Sequence, residues 1–149
     1  MSFGHLNHGK SPLEVAGVTG QEADIVSFAC AEAVTAGEWV DLDSSQTGEA
    51  RTTTVVQGNG TGLCIGVALE TVSAATVTAG GALVRVCVSG YCEGALTDGS
   101  LDAAGNTLRP AAAGACMKGV PTNALPIIGI ALESDGSTTA ADVYIIRRY

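Results

Sequence analysis

Aromatic side chains make up only 4% of this chain of 149 residues, and Trp39 is its single tryptophan. A core with so few rings must be built from Val, Ile, Leu and Ala, whose small and β-branched side chains suit thin sheet layers. Basic residues are scarce too: seven Lys and Arg stand against fifteen Asp and Glu, for a formal net charge of −8. A chain this acidic lacks the electrostatic footprint for phosphate backbones, so no nucleic-acid partner is expected. No run approaches the ~20 apolar residues of a membrane-spanning helix, so no membrane partner is expected. The N-terminus shows no basic stretch leading into an apolar one, and the protein is read as soluble and not exported by a standard route. Proline is rare, with four residues against twenty glycines. That balance indicates many tight turns without low-complexity disorder.

Hydrophobic residues form 46% of the chain, enough for a real core in one domain or in two small lobes that share one. The charge is unevenly spread, since residues 1–50 hold eight acidic side chains and one lysine. That half could meet a basic protein surface, but a solvated face is the plainer reading. Five cysteines, Cys30, Cys64, Cys87, Cys92 and Cys116, form no C-x-x-C pair and cannot all be bridged. Most sit in apolar runs, where a thiol behaves as a small hydrophobe. This usage fits folding in a reducing cytoplasm.

One short text occurs twice. Ile65-Gly66-Val67-Ala68-Leu69-Glu70 returns 63 positions later as Ile128-Gly129-Ile130-Ala131-Leu132-Glu133. Each copy precedes a small-residue loop and a β-branched run, Leu83–Val88 in one case and Val143–Arg147 in the other. Upstream, Thr35-Ala36-Gly37 stands against Thr97-Asp98-Gly99. A recurrence of this kind marks a supersecondary unit used twice, here over residues 33–90 and 95–148.

Residues 1–20 have no sustained period and read as an extended N-terminal arm, expected to dock on another chain. Residues 21–149 are expected to form a single β domain. Strands are predicted at Ile25–Cys30, Glu38–Leu42, Thr52–Val56, Leu63–Leu69, Thr76–Thr78, Leu83–Val88, Tyr91–Leu96, Asn106–Arg109, Ile127–Leu132 and Asp142–Arg147. The stretch 103–126 reads as a long connection or a weakly paired strand. Helical signals are confined to single turns at Ala31–Ala33 and Ala111–Ala113. The expected fold is all-β: a small sandwich or barrel built from two related strand units.

Candidate sites are few. His5 and His8, three apart in the arm, offer two metal ligands without a third nearby, and are poorly placed to act as a catalytic base. Gly58-x-Gly60-x-Gly62 resembles a phosphate loop but has no lysine and leads into a strand, so it reads as a hairpin turn. Asp41-x-Asp43 with Ser44, Ser45 and Glu49 lacks the glycine and the glutamate of a calcium loop and reads as a polar strand end. Glu70 and Glu133, at matching places in the repeats, read as a solvated rim or a salt bridge rather than a catalytic pair. Trp39 is expected at the edge of the core or in a subunit interface. Arg147, Arg148 and Tyr149 form a basic end, read either as a contact for an acidic neighbour or as a solubilising tail. No catalytic, cofactor-binding or metal residue is assigned, and the chain is not read as an enzyme.

The ordered series Val34-Thr35-Ala36-Gly37-Glu38-Trp39-Val40-Asp41-Leu42, Gly66–Glu70, Ile128–Glu133 and Val143–Arg147 resembles a family of bacteriophage head decoration, or capsid cement, proteins. The likeness covers roughly residues 22–148 and leaves the arm out. It implies a structural virion protein on the outside of the capsid, made in the host cytoplasm. Such a protein would bind the major capsid protein and further copies of itself, often as a trimer, and stabilise the mature head. It implies no catalytic residues. The alternative is a carbohydrate- or cell-surface-binding β module on a virion, for which six aromatic residues provide few sugar-stacking platforms.

Overall fold

The computed structural model describes residues 23–61, 63–120 and 125–146. Their strands are β1 (Ala23–Cys30), β2 (Trp39–Leu42), β3 (Thr54–Gln57), β4 (Cys64–Ala68), β5 (Leu83–Leu96), β6 (Thr107–Pro110), β7 (Cys116–Lys118), β8 (Gly129–Ala131) and β9 (Ala140–Ile145). Two short helices, α1 (Ala50–Thr53) and α2 (Ala74–Ala79), complete the regular structure. The protein is all-β, as its period-2 runs predict. The expected arm lies outside the described residues, together with His5 and His8.

The strands run in the order β1-β3-β2-β4-β5 and close through pairing of β1 with β5, giving a five-stranded barrel. From β5 the sheet continues as β9-β8-β6-β7. The parallel bridge Thr97↔Cys116 then brings β7 back to the end of β5. Two rings of the same order therefore share one strand of fourteen residues. Its first half, Leu83–Gly90, lies against β1, and its second half, Gly90–Leu96, lies against β9. Gly90, at φ 89°, sits where the strand passes from one ring to the other.

Hydrogen bonds show how closely the second ring repeats the first. The Gly37 and Ala68 amides donate to the Ala68 and Glu38 carbonyls, as those of Gly105 and Ala131 donate to the Ala131 and Asn106 carbonyls. Gly58 donates to the Trp39 carbonyl as Gly119 does to that of Thr107. Ala31 donates to the Val55 carbonyl as Asp98 does to that of Cys116. Strands β2, β3, β4 and the first half of β5 thus correspond to β6, β7, β8 and β9, and β1 corresponds to the second half of β5. The counterpart of Gly37 is Gly105, not Gly99. Both need a positive φ, 92° and 88°, which only glycine adopts without strain. Loops of unequal length between the strands explain why a constant offset misaligns this turn.

The repeated glutamates close the same ladder in both rings. Leu69 donates to the Arg85 carbonyl, and Glu70 Oε1 accepts from the Arg85 amide at 2.9 Å. Leu132 donates to the Asp142 carbonyl, and Glu133 Oε1 accepts from the Asp142 amide at 3.0 Å. Each carboxylate extends the strand pairing by one bond after the backbone has turned away. Glu70 also faces Arg85 Nε at 3.4 Å in an exposed ion pair, a geometry that adds little stability.

The first ring is filled by Phe28, Val34, Val40, Val55, Val84 and Val86. Leu101, Leu108, Cys116, Ala141 and Val143 take the equivalent interior of the second. Trp39, Val67 and Cys87 point out of the first ring, yet they belong to the core of the second. This explains a departure from the expected alternation in β2, where Trp39, Val40 and Asp41 are all buried. One face fills the first barrel, and the other carries the second.

Several strand boundaries differ from those the sequence predicts. Thr76–Thr78 is helical, because the Ser73 hydroxyl caps the Thr76 amide and Gly80, at φ 86°, ends the turn. Thr52 and Thr53 fall in α1, where their hydroxyls bond back to the Glu49 carbonyl, so the β-branched run becomes a strand only at Thr54. The two runs on either side of Gly90 are one strand. The weak 103–126 stretch contains β7, paired with β6. Ala31–Ala33 and Ala111–Ala113 form no helix.

The repeated Ile-Gly-x-Ala-Leu-Glu text needs its glycine for close backbone approach. A Cβ on Gly66 would overlap the Cys87 carbonyl oxygen and lie 2.8 Å from Val86 Cγ1, and one on Gly129 would stand 2.7 Å from the Tyr144 carbonyl oxygen. Gly66→Ala is expected to destabilise the fold by about 3 kcal/mol, the upper end of overpacking costs, and Gly129→Ala by about 1–2 kcal/mol. Urea unfolding midpoints check both values and their order.

Candidate functional site

The carboxylates singled out in the sequence prove to be structural. Asp43 is buried and accepts hydrogen bonds from the Ser45 amide and hydroxyl at 2.9 and 2.7 Å and from Gln46 Nε2 at 2.9 Å. These bonds, the Ser45 side chain's first, hold its carboxyl below the usual range. Asp41 turns the other way, and its Oδ2 accepts from the Asn59 amide at 3.2 Å. The two aspartates hold different loops, and Ser44 and Glu49 are exposed on the surface. Among the described residues no three His, Cys, Asp or Glu side chains gather as a metal site. Gly58 and Gly60 form a turn that leads into β4, with no helix behind it; Gly62 is outside the described residues.

All five cysteines are buried and none is bridged. Burial pushes the Cys116 thiol up to about 12 and raises that of Cys30 as well. Cys92 is raised by its hydrogen bond with Cys87 and by burial. Since the thiolate is the nucleophile, Cys30, Cys92 and Cys116 are held in the unreactive form, whereas the hydrogen bond with Cys92 lowers the buried Cys87 thiol.

The surface carries a more informative feature. Across the outer side of the second ring, Thr107, Ile130, Tyr144 and Tyr91 stand in cross-strand register. Ile130 is 37% exposed and Tyr144 44%. Leu132 and Ile146, one residue past the ends of β8 and β9 and at opposite ends of this antiparallel pair, are 44% and 39% exposed. The corresponding positions on the first ring are Trp39, Val67 and Cys87, which are buried because the second ring covers them. Both rings carry a face at these positions, and among the described residues only that of the first ring is covered.

Trp39 is the centre of that covered face. Its amide donates to the Gly114 carbonyl at 2.7 Å, and its indole Nε1 donates to the Leu96 carbonyl at 3.1 Å. The Gly58–Gly60 loop lies beside it, with the Gly114 amide donating to the Gly58 carbonyl. A Cβ on Gly60 would sit 3.0 Å from the Ala111 carbonyl carbon, so this loop presses on Ala111 and Ala112.

The other end of the first ring, past Leu42 at the far end of β2 from Trp39, is open among the described residues. An apolar cavity of about 240 Å³ is lined by Phe28, Leu42, Thr52 and Leu63. Beside it, a more polar cavity of about 320 Å³ is bounded by Ser44, Arg51, Asn59 and Thr61 and shares Leu42 and Leu63. Sequence reasoning missed both the face and the socket. The outer face had a signal, since Ile127–Leu132 is apolar on both sides of the strand. The socket had none, because its residues come from four separate segments. Arg147, Arg148 and Tyr149 lie outside the described residues.

Tyr91 reports on this face. Its hydroxyl donates to Asp142 Oδ2 at 2.7 Å, and that bond raises the phenol to about 12. A folded value above the ordinary ~10 means stability present below about pH 10 and lost as pH rises toward 12. In Tyr91→Phe, the last tyrosinate step in an ultraviolet titration disappears and the alkaline loss of stability over that range shrinks. The native protein's five thiols are expected to resist a thiol reagent at neutral pH, and all five to react in denaturant, as a timed absorbance assay would read.

No protein-family model matches this chain, and no curated protein matches it in sequence.

Proposed function

We propose that the chain is a structural virion protein that binds the outside of a phage capsid and stabilises the mature head by bridging neighbouring capsid subunits. The observation that carries this reading is the ordered series of motifs from Val34–Leu42 through Gly66–Glu70 and Ile128–Glu133 to Val143–Arg147, which resembles head decoration proteins in order and spacing. The fold adds support of a physical kind. The repeated glycines and glutamates build a rigid double ring, and their carboxylates are spent on backbone amides. What the second ring offers outward is an apolar sheet face suited to contact with other proteins.

A ligand that binds only the expanded lattice stabilises it by mass action. Many copies on a symmetric shell turn modest single contacts into strong retention. The major capsid protein is the partner in this reading, together with further copies of the chain, with a trimer favoured. The chain acts on the capsid exterior as a binder and catalyses nothing.

Purified protein is expected to co-sediment with mature heads and not with unexpanded ones. Deletion of residues 1–20 is expected to lower occupancy on mature heads. Equal binding to both head forms, or to neither, would overturn the reading.

A further inference from the structure

The two rings are joined by a contact whose two halves each recur at an end of the molecule, where no described residue covers them. On the second ring, the seat for Trp39 is formed around Leu96, Gly114 and Cys116. The ladder correspondence maps these onto Ala29, Thr53 and Val55 of the first ring. Those residues adjoin Phe28 and Thr52, which line the open apolar cavity. The seat for the Gly58–Gly60 loop, Ala111 and Ala112, maps onto Asp43 and Ser44, since Asp43 donates to the Thr54 carbonyl as Ala111 does to that of Ala115. Ser44 borders the second cavity. Both openings on the first ring are therefore the places that, on the second ring, the first ring fills.

The complementary half is equally present. Thr107, Ile130 and Tyr144 are the counterparts of Trp39, Val67 and Cys87. Val120, 46% exposed, follows Gly119 as Asn59 follows Gly58. We propose that a second copy of this chain supplies the missing neighbour, with the outer face of its second ring, centred on Ile130 and Tyr144, docking over the Phe28–Leu42–Thr52–Leu63 socket of the first. The chain would continue between molecules the head-to-tail contact that it already makes internally. Such a heterologous contact uses two different surfaces, so copies join in a ring or a string and not as a face-to-face pair. The chemistry matches: an apolar sheet face centred on Ile130 and the Tyr144 ring meets an apolar cavity of about 240 Å³. Thr107 is much smaller than Trp39, which leaves room in the socket for the Tyr144 side of the face. This inference rests on the self-association in the reading above and names its surfaces; it is tested on the protein alone in solution, so its failure leaves capsid binding to be judged by the head co-sedimentation.

The experiment uses the full chain and sedimentation velocity over a concentration series. Wild type is expected to gain mass with concentration. Ile130→Glu removes the face and Leu63→Asp the socket; each should weaken association by at least about tenfold. Melting curves confirm that each variant is folded. Because each variant keeps the surface that the other lacks, an equimolar mixture is expected to form a one-to-one dimer and nothing larger. Thr52→Trp, which plugs the socket with its own indole, should behave as Leu63→Asp does and serves if that variant is unstable.

Wild type that stays monomeric up to about 1 mM would overturn the proposal. So would Leu63→Asp that associates like wild type, since that means a face-to-face contact. If deletion of residues 1–22 turns a monomer into an assembly, the chain's own N-terminal segment fills the socket, and the proposal fails.

Discussion

Trp39 is the residue on which the arrangement of the two rings depends. Its strand is buried on both sides: Val40 fills the first barrel, while the indole fills the second. Its two hydrogen bonds, to Gly114 and Leu96, tie β2 to the turn before β7 and to the end of β5, where the neighbouring ring closes. Loss of so large a buried side chain costs about 3–5 kcal/mol in a typical core, a large share of the total stability of a small protein. In a chain with so few rings, the one indole sits where two small cores must be made into one.

This placement also explains why valine dominates. A five-stranded ring has a narrow interior, and Val40, Val55, Val84 and Val86 fill it with stiff, short side chains. Phe28 is the one aromatic side chain in the first ring's core, and Trp39 sits between the rings. Glycine enters where strands come closest, at Gly66 and Gly129, and where the chain must turn with positive φ, at Gly37 and Gly105. The low aromatic and high glycine content are thus two consequences of building narrow barrels.

Much of this was legible in the residues. The duplicated Ile-Gly-x-Ala-Leu-Glu text locates β4 and β8, and the glutamate in each copy has the same backbone partner. The all-β class follows from the period-2 runs. Other features were out of reach because they depend on distant neighbours. Thr76–Thr78 has the composition of a strand, and only the Ser73 cap and Gly80 make it a helix. Thr107 gives no sign of being the partner of Trp39, because the two share a ladder position and no chemistry. Asp135 stands where Val72 stands in the first ring; it is buried and accepts from the Thr97 hydroxyl and the Leu101 amide at 2.8 and 3.1 Å. A polar network stands there where the first ring has an apolar contact, so the repeat is not visible in the sequence at this point.

Strand β5 belongs to both rings, and this has a thermodynamic consequence. Each ring takes one half of β5, so a cut at Gly90 would leave five strands on either side but would break the strand that runs through both. It would also strip the cover from Trp39, Val67 and Cys87, which the second ring's core buries. Melting of the second ring alone exposes that face, so the two halves are expected to lose their structure together.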